Sequence, residues 1–264
     1  GASLSQWISQ GKTIIKNMEH QQARDIYYSS FLFPFVNRVE DGRFRFRESE
    51  FILPINEPEN NNAIHGCIAN QCFDIDHIQC DDLHAAIKLS YTYKGDKSYF
   101  PFPFKIDITY TCDHDGLEIR CHVTNTGANT FPYSLGWHPY FNLPSKTGNL
   151  LKFNAIKMVE VNERCLPVEV INHKVSKNLE IFIDRVDDCY ELKNPVCTLI
   201  TQDYTLTLTS SKESNYLQVY HPLHTDRVAV EPLTGIANCF NNGVGLRVLD
   251  PQAQFSQSWN VVIS

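Results

Sequence analysis

Methionine is nearly absent from this 264-residue chain, with 2 copies, so no soft Met-rich binding surface is on offer. No run of Lys and Arg interrupts a net charge of −7, and the electrostatic footprint of a nucleic-acid binder is missing. The same acidic balance works against anionic membrane surfaces as partners. No apolar stretch approaches the roughly 20 residues that a membrane-spanning helix needs. The chain opens without a charged-then-apolar leader, and a cytoplasmic location is the expectation. The nine cysteines include no Cys-x-x-Cys pair, which removes the usual zinc-knuckle and thioredoxin-like spacings. Several fall on apolar strand faces, where a thiol acts as a small hydrophobe, and all are expected to be reduced. No glycine-rich loop of the phosphate-cradling type occurs. Helical periodicity is scarce, and only Glu19 to Tyr28 is predicted as a helix.

What remains is aromatic and alternating. Phe (16) and Tyr (12) lead the aromatic set, a composition that favours half-buried pleated surfaces. From Phe104 to Cys112 the apolar positions are Phe104, Ile106, Ile108, Tyr110 and Cys112, with Lys105, Asp107, Thr109 and Thr111 between them. After Asp113-His114-Asp115-Gly116 the alternation resumes with Leu117, Ile119, Cys121 and Val123. That is the pattern of a hairpin with one dry face. Similar runs cover Ala85 to Tyr93, Tyr204 to Thr209, Leu217 to Tyr220 and Val228 to Glu231, and Phe44 and Phe46 alternate with arginines. Turn clusters such as Glu57 to Asn62 and Asn241-Asn242-Gly243 separate them. No linker, repeat or low-complexity segment divides the chain. An all-β, antiparallel sandwich in a single domain over residues 1–264 is expected.

Four segments set titratable groups beside aromatics and prolines: "FVNRVEDGRF", "NNAIHG", "GWHPYFNL" and "VAVEPLTGIANCFNNGVGL". His138 lies between Trp137 and Pro139, with Tyr140 and Phe141 following, an aromatic wall suited to the apolar face of a sugar. A core imidazole satisfied by a backbone carbonyl is the plainer alternative. His65 precedes Gly66, which permits a tight turn or close backbone approach. Glu231 shares a strand face with Ala229 and precedes Pro232, which is expected to terminate the ladder. A carboxylate there is either held rigidly toward a ligand or is an edge charge that discourages pairing. Arg38 suits a bidentate clamp or a plain surface position. Asp187, in "RVDDCYEL", sits where an acidic pair meets a strand start.

Taken together and in order, these segments resemble the aldose 1-epimerase family, with "FVNRVEDGRFRF" and "FILPINEPENNNAIHG" similar to its N-terminal signature. The resemblance implies a galactose mutarotase-like supersandwich of two large antiparallel sheets with an open sugar cleft. It implies interconversion of the α and β anomers of an aldose, with no cofactor and no metal. Glu231 corresponds to the family's general base and His138 to its general acid. His65 corresponds to the histidine that hydrogen-bonds near the ring oxygen, Arg38 to the substrate-contacting arginine, and Asp187 to the aspartate that binds sugar hydroxyls, with Asp188 as the fallback. A carboxylate and an imidazole suit a reaction that takes a proton from one oxygen and gives one to another.

Where many relatives carry an arginine after the His-Gly pair, this chain has Ala69, Asn70 and Gln71. A neutral hexose such as glucose or galactose is therefore the expected substrate, ahead of a hexose 6-phosphate. A carbohydrate-binding protein without turnover is the alternative of another class, since folds outlive functions. A cupin-like metal site built on His221 and His224 is disfavoured by Pro222 between them. The expected partner is a small-molecule sugar, with no nucleic acid or membrane, and the oligomeric state is open between a monomer and a weak dimer.

Overall fold

The structure, a computed structural model, describes residues 1–180, 186–211 and 215–264, without the side chains of 173–180. The alternating segments become antiparallel strands, as expected for an all-β protein. Phe104–Cys112 pairs with Gly116–Asn125 in the predicted hairpin, Cys112 opposite Leu117 and Phe104 opposite Asn125. Ala85–Tyr93 takes the other edge of Phe104–Cys112, and Gln254–Ile263 takes the other edge of Gly116–Asn125. The ladder continues through Thr205–Ser210, Val186–Ile200, Tyr216–His221 and Arg227–Leu233 to Gly136–Trp137 and Phe31–Leu32. Fourteen strands belong to this network among the described residues.

Because side chains alternate, each strand sends every second residue to one side. Phe104, Ile106 and Ile108 are fully buried, as are Ile119, Cys121 and Val123 on the neighbouring strand. The Phe31 end of the network packs against Gln254–Ile263 and Phe104–Cys112 across this dry layer. Trp137 lies 6.3 Å from Trp259, Phe31 lies 5.9 Å from Trp259, and Phe33 meets Phe104 edge-on at 4.8 Å. Burying each such ring contributes about 1.5–3 kcal/mol, so truncating one of them would cost several times a surface change. No helix among the described residues is long and apolar enough to cross a membrane.

Three local expectations are corrected. The predicted helix at Glu19 to Tyr28 is only His20–Asp25, capped by the Glu19 side chain accepting from the Gln22 amide and ended by Tyr27 at φ 55°. A second one-turn helix, Cys239–Asn242, closes on Gly243 at φ 75°, within a segment read from sequence as a turn. Pro232 does not end its strand. The Arg227–Leu233 ladder runs through it, with Leu217 opposite Pro232 and Gly136 opposite Leu233. The missing donor is tolerated because Pro232 falls beside a gap between two neighbouring strands, described next, where the ladder is already interrupted.

Candidate active site

The gap is the His138-Pro139 step, which separates the strands Gly136–Trp137 and Tyr140–Asn142. Both strands pair with Arg227–Leu233, through Gly136↔Leu233 on one side and Tyr140↔Ala229 on the other. These two pairs share one register, so His138 falls directly opposite Glu231. Opposed residues of an antiparallel pair project to the same face. Trp137 is buried in the core, which turns His138 to the opposite side. The backbone of His138 is held on both polar groups: its amide donates to the Ser30 carbonyl (3.0 Å) and its carbonyl accepts from the Ser29 amide (2.9 Å). The result is a contact of 3.3 Å between His138 Nε2 and Glu231 Oε1. Both side chains are almost wholly buried, at 5% and 2% exposure, so Glu231 is not an edge charge.

Burial sets the charge state of this pair. It pushes the Glu231 carboxyl well above the usual carboxylate range, Asp187 adds to the push, and Arg38 partly offsets it. It holds the His138 imidazole down to about 4. Burial thus favours the uncharged form of each partner, a protonated carboxyl beside a neutral imidazole, which together hold one shared proton and no net charge. This differs from a resting imidazolium and carboxylate; that form lies one proton transfer away, across the 3.3 Å contact.

His65 meets His138 edge-on, with ring centroids 5.1 Å apart, and packs on Tyr27 at 4.6 Å. It adopts φ 63° and Gly66 follows at φ 73°. Gly66 is obligatory by contact as well as by φ, since a Cβ there would stand 2.2 Å from the Phe33 carbonyl oxygen. Burial, with His138 and Arg38 nearby, keeps the His65 imidazole well below its usual range. On the other flank, Gln218 lies opposite Glu231 across the strands and donates from Nε2 to Asp187 Oδ1 at 2.7 Å. Asp188 is engaged elsewhere, accepting from the Tyr190 hydroxyl at 3.0 Å. Arg38 donates from Nε and Nη2 to Glu57 at 2.7–3.0 Å and from Nη1 to Asn37 Oδ1 at 3.2 Å.

These five side chains, Arg38, His65, His138, Asp187 and Glu231, line one cleft with a cavity volume of about 430 Å³. Sequence reasoning overlooked Glu57, Asn37 and Gln218. Glu57 lay in a polar cluster that reads as a solvated turn, and Gln218 in an ordinary strand. Only the adjacency of Asn37 to Arg38 offered a signal.

A family model for aldose 1-epimerase matches residues 1–259. The chain belongs to the aldose 1-epimerase family. It is 26% identical to the uncharacterized protein YihR of Escherichia coli K12 over 264 residues, 95% of this chain and 83% of that one. Galactose mutarotase of Rattus norvegicus is 28% identical over 151 residues, 55% of this chain and 42% of that protein. Among solved structures, a galactose mutarotase-like protein from Clostridium acetobutylicum superposes with a TM-score of 0.87 at 22% identity, covering 96% of this chain and 86% of its own. Galactose 1-epimerase from Lactobacillus acidophilus gives 0.82 at 18% identity, covering 100% and 89%. These last two likenesses establish the galactose mutarotase-like fold.

Proposed function

We propose that this member of the family is a mutarotase for a neutral aldohexose, with glucose and galactose as the first candidates. The observation that carries the reading is the buried 3.3 Å contact between His138 and Glu231 in a cleft of about 430 Å³. A cavity of that order suits a single small ligand. A binding protein has no use for an acid and a base buried side by side in its cleft.

In the proposed reaction Glu231, as carboxylate, takes the proton of the anomeric hydroxyl. His138, as imidazolium, gives its proton to the ring oxygen. The C1–ring oxygen bond breaks as the C1–hydroxyl oxygen bond becomes a carbonyl. Rotation about C1–C2 presents the other carbonyl face, and closure returns both protons. Nothing is oxidised or reduced and no group leaves. The active form of the pair differs from its resting form only in which partner holds the shared proton, and the transfer leaves the net charge of the buried pair unchanged. His65 supports the ring oxygen end, while Arg38 and Asp187 bind ring hydroxyls. Stacking of the Tyr140 ring on His138, 5.0 Å between centroids, fixes the plane of the imidazole.

The enzyme is proposed to act as a single domain in the cytoplasm. That one strand network reaches from Phe31 to Ile263 supports the single domain. Polarimetry on freshly dissolved α-D-glucose and α-D-galactose tests the proposal. Acceleration well above the spontaneous rate is expected. Sugar binding with no acceleration would reverse it in favour of a carbohydrate-binding protein.

A further inference from the structure

Arg38 is the one guanidinium or ammonium among the described residues lining the cleft. Besides Glu231, the lining holds four carboxylates, Asp25, Glu57, Glu59 and Asp187. The cation is not free. Its Nε donates to both Glu57 oxygens, at 3.0 and 2.9 Å, and its Nη2 donates to Oε1 at 2.7 Å. The two side chains are only 13% and 9% exposed. The clamp is built into the backbone: Arg38 pairs with Ile64 in the ribbon Arg38–Glu40/Asn62–Ile64, and Glu57 bridges to Asn62. Asn62, fully buried, donates from Nδ2 to Glu57 Oε2 at 3.0 Å and so fixes the carboxylate from behind.

A guanidinium has five N–H donors. Glu57 takes those on Nε and one on Nη2, and Asn37 takes one on Nη1, which leaves one donor on each terminal nitrogen. What Arg38 retains for a ligand is thus two hydrogen-bond donors without an uncompensated charge. Sugar hydroxyls need nothing more. A phosphate or carboxylate needs a cation to offset its desolvation, and here it would meet an excess of negative charge.

Resting on the mutarotase reading for its substrate, we propose that Glu57 is a specificity-determining residue that reserves the cleft for uncharged aldoses. It does so by cancelling the charge of Arg38 while holding its remaining donors in place.

The test compares D-glucose and D-galactose with D-glucuronate and D-glucose 6-phosphate, using wild type, Glu57→Gln and Glu57→Asp. Binding is read by calorimetry and anomer exchange by magnetisation-transfer NMR. Wild type should favour the neutral sugars. Glu57→Gln removes the charge and keeps the size, so the neutral-to-anionic ratio of kcat/KM should fall by about tenfold, close to 1.4 kcal/mol. Most of that change should sit in KM. Glu57→Asp keeps the charge on a shorter stem, so it should weaken all sugars together and leave the ratio near the wild-type value. An unchanged ratio in Glu57→Gln would overturn the proposal. If that variant does not fold, wild type still decides: raising the salt concentration should improve the binding of glucuronate relative to glucose, and the opposite trend overturns the proposal. A wild type that binds without exchanging anomers would remove the mutarotase reading, while the calorimetric ratios would still test Glu57.

Discussion

Replacing Glu231 by Gln should separate stability from activity, in opposite directions. The carboxyl is buried, sits 3.3 Å from His138 Nε2, and is held well above its usual range by burial and by Asp187. Burial thus favours the protonated carboxyl in the resting protein, and glutamine is nearly its isostere. The amide can still donate to the imidazole, so the change in stability should stay within about 1 kcal/mol, the size of one neutral hydrogen bond. Activity should nevertheless fall by about 10²–10⁴, because an amide cannot accept the anomeric proton. The pH dependence sharpens the test. The carboxyl titrates near 4.5 when unfolded and well above that when folded. Between those values the folded state binds more protons than the unfolded, so wild-type stability falls as pH rises. Glutamine does not titrate, so Glu231→Gln should match wild type near pH 4.5 and become the more stable protein in alkali. Urea denaturation at several pH values and polarimetry supply the two measurements. A loss of about 3–5 kcal/mol at pH 7 would reveal a broken buried ion pair instead and refute the neutral resting state. Retention of full activity would remove Glu231 from the mechanism.

His138→Asn should cost a similar factor of about 10²–10⁴ in anomer exchange, and the double variant with Glu231→Gln much less than the product of the two losses, since both groups act in one step. The profile of kcat/KM against pH should fall on the acid side as His138 gains a second proton for the pair at about 4, and fall again at higher pH as Glu231 loses the shared one; a profile with a single limb would contradict it. Gly66→Ala should destabilise the protein by about 1–3 kcal/mol or more, from φ 73° and a 2.2 Å clash with the Phe33 carbonyl, and should reduce activity by shifting His65. Thermal melts with parallel rate measurements check this last variant.

The outer strands were legible because one face is dry and the other wet. Phe104 to Cys112 announces itself by alternation, and the structure returns the same bounds. Ala85 to Tyr93 does likewise. The strands that carry the site read less clearly. Val228 to Glu231 alternates in sequence, but Val228 to Leu233 is buried on both faces, so the alternation does not tell which face meets solvent, and Pro232 looks like a terminator. The five residues singled out from sequence do share a cleft, because the family resemblance ordered them along the chain. Their supports were invisible. Glu57 and Asn62 fall in a run of Glu, Pro and Asn that local chemistry assigns to solvent, and only the backbone bridge between them turns that run inward. The charge state of the His138–Glu231 pair was equally unreadable, since it depends on burial that no single strand reports.

The register that sets His138 opposite Glu231 belongs to the large sheet, near its Phe31 end, whereas Arg38, Glu57 and His65 hang on a two-stranded ribbon of their own. In the proposed mechanism proton transfer and ligand reading are thus anchored to different parts of the chain, with different resistance to change. Amides of Val228 to Glu231 should exchange with deuterium only when the whole sheet opens, while those of the ribbon should exchange through smaller, local openings. The same partition makes the protein divisible for an engineer or for evolution. On that reading, varying residues 54–62 should alter ligand preference while the interval between His138 and Glu231 stays fixed by the Arg227–Leu233 ladder, with which none of them pairs.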